Sequence, residues 1–86
     1  MIERELTVLN RLGLHARASA KLVKLLAPFD AQVLLSHRGR EINAKSIMGL
    51  MMLAAGRGSV VQLRAEGPQA LAAADAAERL FAERFG

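Results

Sequence analysis

Between Ser59 and Glu66 the chain alternates, with Val61, Leu63 and Ala65 on one side and Gln62, Arg64 and Glu66 on the other. A period of two sends successive side chains to opposite faces of an extended strand. The segment therefore predicts a strand with one dry and one wet face, closed by the turn pair Gly67-Pro68. A strand of this kind belongs in an antiparallel sheet that is covered on one side only. Ile2 to Leu9 repeats the pattern in part, with Arg4, Leu6 and Val8 against Glu3, Glu5 and Thr7. Gln32 to Arg38 and Arg40 to Ala44 read as two further strands joined at Gly39, which can take the positive φ of a tight turn.

The rest of the chain has helical spacing. Ala16 to Ala27 carries Leu22, Val23, Leu25 and Leu26 before Pro28 stops the run. Ser46 to Ala55 has Ser46 as N-cap and Gly56 as its end. Gln69 to Phe85 is rich in alanine, with Leu71, Ala74, Ala77, Phe81 and Phe85 as the expected buried stripe. The order is β-α-β-β-α-β-α, and no segment looks like a linker, a repeat or a low-complexity tract. The simplest packing is a four-stranded antiparallel sheet with the helices on one face and the last strand between the first and second. At 86 residues, the chain is expected to form one domain over residues 1–86.

Composition removes several function classes. With 52% hydrophobic and 23% charged residues, the chain is too apolar for intrinsic disorder. It has no cysteine, so disulfides, thiolate metal sites and a thiol nucleophile are excluded. No apolar run approaches the roughly 18 residues of a membrane span, and acids at Glu3 and Glu5 do not suit a secretion signal. A soluble cytoplasmic protein without membrane insertion is expected. The formal charge is +4, which suggests an acidic partner. Its excess lies in Arg11, Arg17, Lys21 and Lys24, a stretch with no acid, whereas residues 1–9 and 67–86 are each slightly negative. The aromatic residues are Phe29, Phe81 and Phe85, which offers no stacking platform for single-stranded nucleic acid.

His15 lies between the turn residue Gly13 and the helix expected from Ala16, where unpaired backbone N–H groups and the positive end of the helix dipole converge. An anion on that ring would be held there. The same field disfavours imidazolium and leaves a ring nitrogen with a free lone pair, a nucleophile. Arg17 can turn a guanidinium fork toward a phosphoryl oxygen carried by His15. Lys21 and Lys24 follow Arg17 at i+4 and i+7 and extend one basic face. A lone histidine near a helix start is more often a solvated or capping residue, so the ring alone does not establish a nucleophile.

The wider context decides. Asn10-Arg11-Leu12-Gly13-Leu14-His15-Ala16-Arg17, the spacing from His15 to Ser46, and the run Ala44-Lys45-Ser46-Ile47-Met48-Gly49-Leu50 together resemble the HPr family. Its members are the histidine-containing phosphocarriers of the bacterial phosphoenolpyruvate-dependent phosphotransferase system. The likeness spans essentially the whole chain and implies an α+β open-faced β-sandwich. It implies that His15 accepts a phosphoryl group on Nδ1 from phosphorylated enzyme I and passes it to a histidine of an enzyme IIA-type acceptor, with Arg17 steadying the phosphate. The chain would then be a carrier intermediate rather than a free-standing enzyme. No metal-ligand cluster or glycine-rich nucleotide loop is present, so no cofactor or metal is expected. One departure is Ala18, where the usual motif has proline. Proline in a first helical turn pre-sets φ and forfeits no bond, so Ala18 removes some rigidity but no chemical group.

Ser46 is sufficiently explained as an N-cap. In some bacteria the corresponding serine of related proteins is phosphorylated by an ATP-dependent HPr kinase/phosphorylase. A phosphate is electrostatically favoured at a helix start and would repel acidic partners. Ile47, Met48, Leu50, Met51, Met52 and Leu53 are more apolar groups than one buried face can take. Leu50 and Leu53 are expected in the core. The resemblance places Ile47, Met48 and Met51 outward, as the apolar centre of a docking face rimmed by Arg17, Lys21 and Lys24. Such a transient face favours a monomer. His37 is expected to be solvated, and Ser19 and Ser59 to cap or lie at the surface. Two other readings fit parts of the sequence: a regulatory interaction protein signalling through Ser46, and a basic nucleic-acid-binding module. Ala54-Ala55-Gly56-Arg57-Gly58 does not separate a sugar-uptake relay from a nitrogen-related one.

Overall fold

The computed structural model describes residues 1–86. Its elements follow the expected order: β1 Ile2–Thr7, α1 Ala16–Leu26, β2 Gln32–His37, β3 Arg40–Asn43, α2 Ile47–Leu53, β4 Val60–Glu66 and α3 Ala70–Ala82. The strands form one antiparallel sheet in the order β1-β4-β2-β3, so the last strand does lie between the first and second. No helix is long and apolar enough to cross a membrane.

The register explains why β4 carries the cleanest alternation. As a central strand it opposes β1 through Leu6↔Val61 and Arg4↔Leu63, and β2 through Val33↔Ala65 and Leu35↔Leu63. Leu6, Val33, Leu35, Val61, Leu63 and Ala65 are all buried. Each such Leu or Val contributes roughly 1.5–3 kcal/mol by leaving water. A slip of one residue would turn the whole row outward, which fixes the pairing. The β2–β3 hairpin turns through Arg38 and Gly39, with φ of 52° and 80°, the left-handed pair expected of a two-residue hairpin loop.

On the covered face, α3 packs against β1, β2 and β4, while α1 packs against both α2 and α3. The buried stripe of α3 is Ala70, Ala73, Ala74, Ala77 and Phe81. Leu71, expected in that stripe, is instead 54% exposed. It stands about 100° around the helix from Ala70. Close approach to the sheet selects the small side chains for the contact. Beyond the packing, Arg4 of β1 reaches α3, pairing with Asp75 at 3.0 Å and with Glu78. Hydrogen bonds to Asp75 and then Glu78 raise the pKa of its guanidinium above the ordinary value.

Three further expectations are corrected. Ser19 is not a surface residue; it is fully buried, and its hydroxyl donates to the Leu14 carbonyl at 3.0 Å. Helix α2 ends sooner than Ala55. Ala54 adopts a left-handed conformation with φ 56°, although it has a Cβ and glycine follows only two positions later. The chain leaves the helix there because the next residues are tied elsewhere. The Ala55 carbonyl accepts from Leu14 N–H at 3.0 Å, Gly58 N–H donates to Val8 at 2.8 Å, and Val8 N–H donates to Ser59 at 2.8 Å. His37 is half-buried rather than solvated, with Nδ1 3.2 Å from the Val60 carbonyl.

Candidate functional site

The loop before α1 is clamped from inside. Asn10 is buried and donates its Nδ2 hydrogen to the Gly13 carbonyl at 2.6 Å. Gly13 N–H returns to the Asn10 carbonyl at 3.2 Å. Gly13 itself has φ +64°, and a Cβ there would stand 2.5 Å from the Ala55 carbonyl oxygen. Glycine is thus required both by the left-handed turn and by the close passage of the segment that follows α2. With Leu14 N–H bound to Ala55 and Ser19 Oγ bound to Leu14, the backbone on both sides of residue 14 is fixed.

That scaffold delivers His15 as the N-cap of α1. Its backbone is extended, at φ −71° and ψ 177°. Its carbonyl accepts from Ser19 N–H at 2.9 Å, and its ring Nδ1 accepts from Arg17 N–H at 3.2 Å. A ring nitrogen that accepts a hydrogen bond carries no proton, so in the neutral ring the proton sits on Nε2. Nδ1 thereby replaces the hydroxyl or carboxylate that usually caps a helix. The first turn of α1 holds no acid, so nothing neutralises the positive end of its dipole. Ala18, in the place of the usual proline, is buried in this first turn.

His15 is half-buried at the edge of an open cleft of about 380 Å³. The charged side chains lining it are Arg11, Arg17, Lys21 and Arg84, and no carboxylate side chain joins them. The cleft therefore gathers His15, Arg17 and Lys21, as the sequence leads one to expect. Lys21 is not a free rim cation, because its ammonium donates to the Phe85 carbonyl at 2.7 Å. Arg84 was not apparent from the sequence: it is 69 residues from His15, and only the return of the chain after α3 places it here.

The other singled-out residues lie outside the cleft. Lys24 is exposed on the last turn of α1. Ser46 is the N-cap of α2, its hydroxyl accepting from Gly49 N–H at 3.1 Å. Leu50 and Leu53 are buried, while Ile47, Met48 and Met51 are exposed. Met52 and Leu12, at 57% and 69% exposure, add apolar surface that helical spacing alone did not assign outward. No group of three or more His, Cys, Asp or Glu side chains is placed to hold a metal ion.

Comparison with known proteins agrees with this fold. Residues 2–83 match the family described as "PTS HPr component phosphorylation site". The chain is 56% identical over 86 residues to the phosphocarrier protein HPr of Cupriavidus necator, covering 100% of this chain and 97% of that one. It is 40% identical over 84 residues to the phosphocarrier protein NPr of Shewanella violacea, covering 98% and 92%. Among solved structures, HPr from Thermoanaerobacter tengcongensis superposes with a TM-score of 0.96 at 38% identity, over 100% of this chain and 97% of that one.

Proposed function

The chain belongs to the HPr family of phosphotransferase-system phosphocarriers, and from that membership and the cleft at the start of α1 we propose that His15 is the residue that carries the phosphoryl group. The observation behind this reading is the direction of its ring. Nδ1 holds its lone pair toward the N-terminus of α1, in a cleft lined by four cationic side chains and no carboxylate side chain.

In the proposed step, the Nδ1 lone pair attacks the phosphorus carried by phosphorylated enzyme I. A nitrogen–phosphorus bond forms as the bond to the donor breaks, and that bond's electron pair leaves with the donor. Once Nδ1 is bonded, Arg17 N–H loses its acceptor and turns to a phosphoryl oxygen, where helix-start amides favour an anion. The Arg17 guanidinium steadies the same group. Proton retention on Nε2 leaves the phosphorylated ring cationic, which makes it a good leaving group for the onward transfer to an enzyme IIA-type acceptor. Donor and acceptor supply the remaining charge stabilisation in the transition state.

Docking uses the exposed side of α2. Ile47, Met48 and Met51, extended by Met52, give an apolar centre that adapts to several partners, and Arg17 and Lys24 form its cationic rim. Lys21 contributes mainly by holding Phe85. Phosphorylation of Ser46 by an HPr kinase/phosphorylase would add negative charge beside this face and weaken docking with acidic partners. The chain acts as a single-domain cytoplasmic monomer in this scheme. Incubation with phosphoenolpyruvate and enzyme I tests it: His15 is expected to acquire an acid-labile, alkali-stable phosphate, and H15A none. Label retained in H15A would refute the assignment.

A further inference from the structure

Helix α3 does not simply stop at Ala82. Arg84 N–H donates to the Phe81 carbonyl at 3.0 Å, and Phe85 N–H donates to the Leu80 carbonyl at 3.0 Å. This pair of bonds is the Schellman closure of a helix end, and its left-handed residue is usually glycine. Here that residue is Arg84, with φ 57°, and Phe85 follows with φ 61°. A side chain in this conformation is strained, whereas glycine is not.

The strained turn is held in place through Phe85. Phe85 is only 5% exposed, its ring lies 4.9 Å from that of Phe81, and its carbonyl accepts from the Lys21 ammonium at 2.7 Å. These contacts bring the turn onto α1 and make Arg84 part of the wall of the His15 cleft. Neither Arg17 nor Arg84 is engaged in an ion pair with an acid of this chain. A strained backbone position that delivers an unpaired guanidinium to a site invites a functional explanation.

We propose that Arg84 is a second phosphoryl-binding guanidinium, acting with Arg17 on the group carried by His15. This rests on the phosphocarrier reading of His15. It extends that reading to a residue on the opposite end of the chain, held at the site by the Lys21–Phe85 contact. Nothing in helical spacing or in the motif around His15 marks this residue.

Substitution by glycine separates the two roles, because it removes the guanidinium while suiting the left-handed turn. Wild type, R84G and R84K are charged with phosphoenolpyruvate and enzyme I, and the phosphohistidine is titrated by phosphorus NMR. A nearby cation favours the dianionic phosphoryl form. Its loss in R84G is expected to move the titration midpoint up by about half a pH unit, the scale of one screened charge several ångströms away. R84K is expected to stay near wild type, and R84G to melt at a higher temperature than wild type. A more stable R84G with an unchanged midpoint would overturn the inference and leave the phosphocarrier reading intact. Absence of phosphate on His15 in the wild type would overturn both.

Discussion

Gly13→Ala is the substitution for which the structure gives the clearest magnitude. Gly13 has φ +64°, and an added Cβ would stand 2.5 Å from the Ala55 carbonyl oxygen and 2.8 Å from Gly56 Cα. Both neighbours are backbone atoms, so neither can rotate away. The left-handed conformation alone costs an L-residue about 1–2 kcal/mol, and overpacking a tight contact adds about 1–3 kcal/mol. The expected loss is roughly 2–5 kcal/mol. Gly39 supplies the control. Its φ is +80°, but a Cβ there meets nothing within 4 Å, so Gly39→Ala is expected to lose only the conformational part, about 1–2 kcal/mol. Urea unfolding of the two variants measures the difference directly. Because the contact at Gly13 also fixes the backbone leading to His15, G13A should accept phosphate from enzyme I more slowly, whereas G39A should not. Equal stability losses for the two variants would refute the claim that the passage against Ala55 positions the site.

Other substitutions probe separate parts of the account. Ser46→Ala loses the bond from Gly49 N–H and should cost about 1 kcal/mol. Ser46→Asp keeps an acceptor for that bond, should unfold close to wild type, and should bind enzyme I more weakly, with the deficit shrinking as salt is raised. Ser19→Ala leaves the Leu14 carbonyl without its 3.0 Å partner and should cost about 1–2 kcal/mol in urea unfolding. Leu71→Gln should change stability by less than about 0.5 kcal/mol. Ala74→Leu, in the contact between α3 and the sheet, should lose about 1–3 kcal/mol. Comparable effects at positions 71 and 74 would place the helix face wrongly.

Sequence and structure agree where a local rule and the tertiary fold favour the same outcome. The alternation of Val61, Leu63 and Ala65 was legible because β4 is paired on both sides and buried on one face. Ser46 was legible because its hydroxyl serves the local backbone. The strand order followed from the one-sided pattern of the strands and the alternation of elements. The HPr likeness came from the motif around His15 and the run around Ser46 together, more than either string supports alone.

The remainder was hidden for specific reasons. Leu71 is more hydrophobic than Ala70 or Ala73, yet the alanines form the contact, since a helix lying close to a sheet selects for size as well as polarity. Ala54 ends α2 because the next residue is needed by Leu14 in the loop before α1, a demand outside any local propensity scale. Ser19 is polar but buried, since the Leu14 carbonyl requires a donor at that point. Lys21 and Arg84 depend on the chain end folding back over α1, a contact between residues too distant in sequence for periodicity to show.

The central claim concerns one nitrogen atom, and long-range proton–nitrogen correlation NMR of the His15 ring observes it directly. In the uncharged protein at a pH where the ring is neutral, the account predicts an Nε2–H tautomer, with Nδ1 accepting from Arg17 N–H. After charging by phosphoenolpyruvate and enzyme I, it predicts phosphorus on Nδ1 with the proton retained on Nε2. Phosphorus on Nε2, or a His15 ring unchanged while the protein carries phosphate elsewhere, would contradict it.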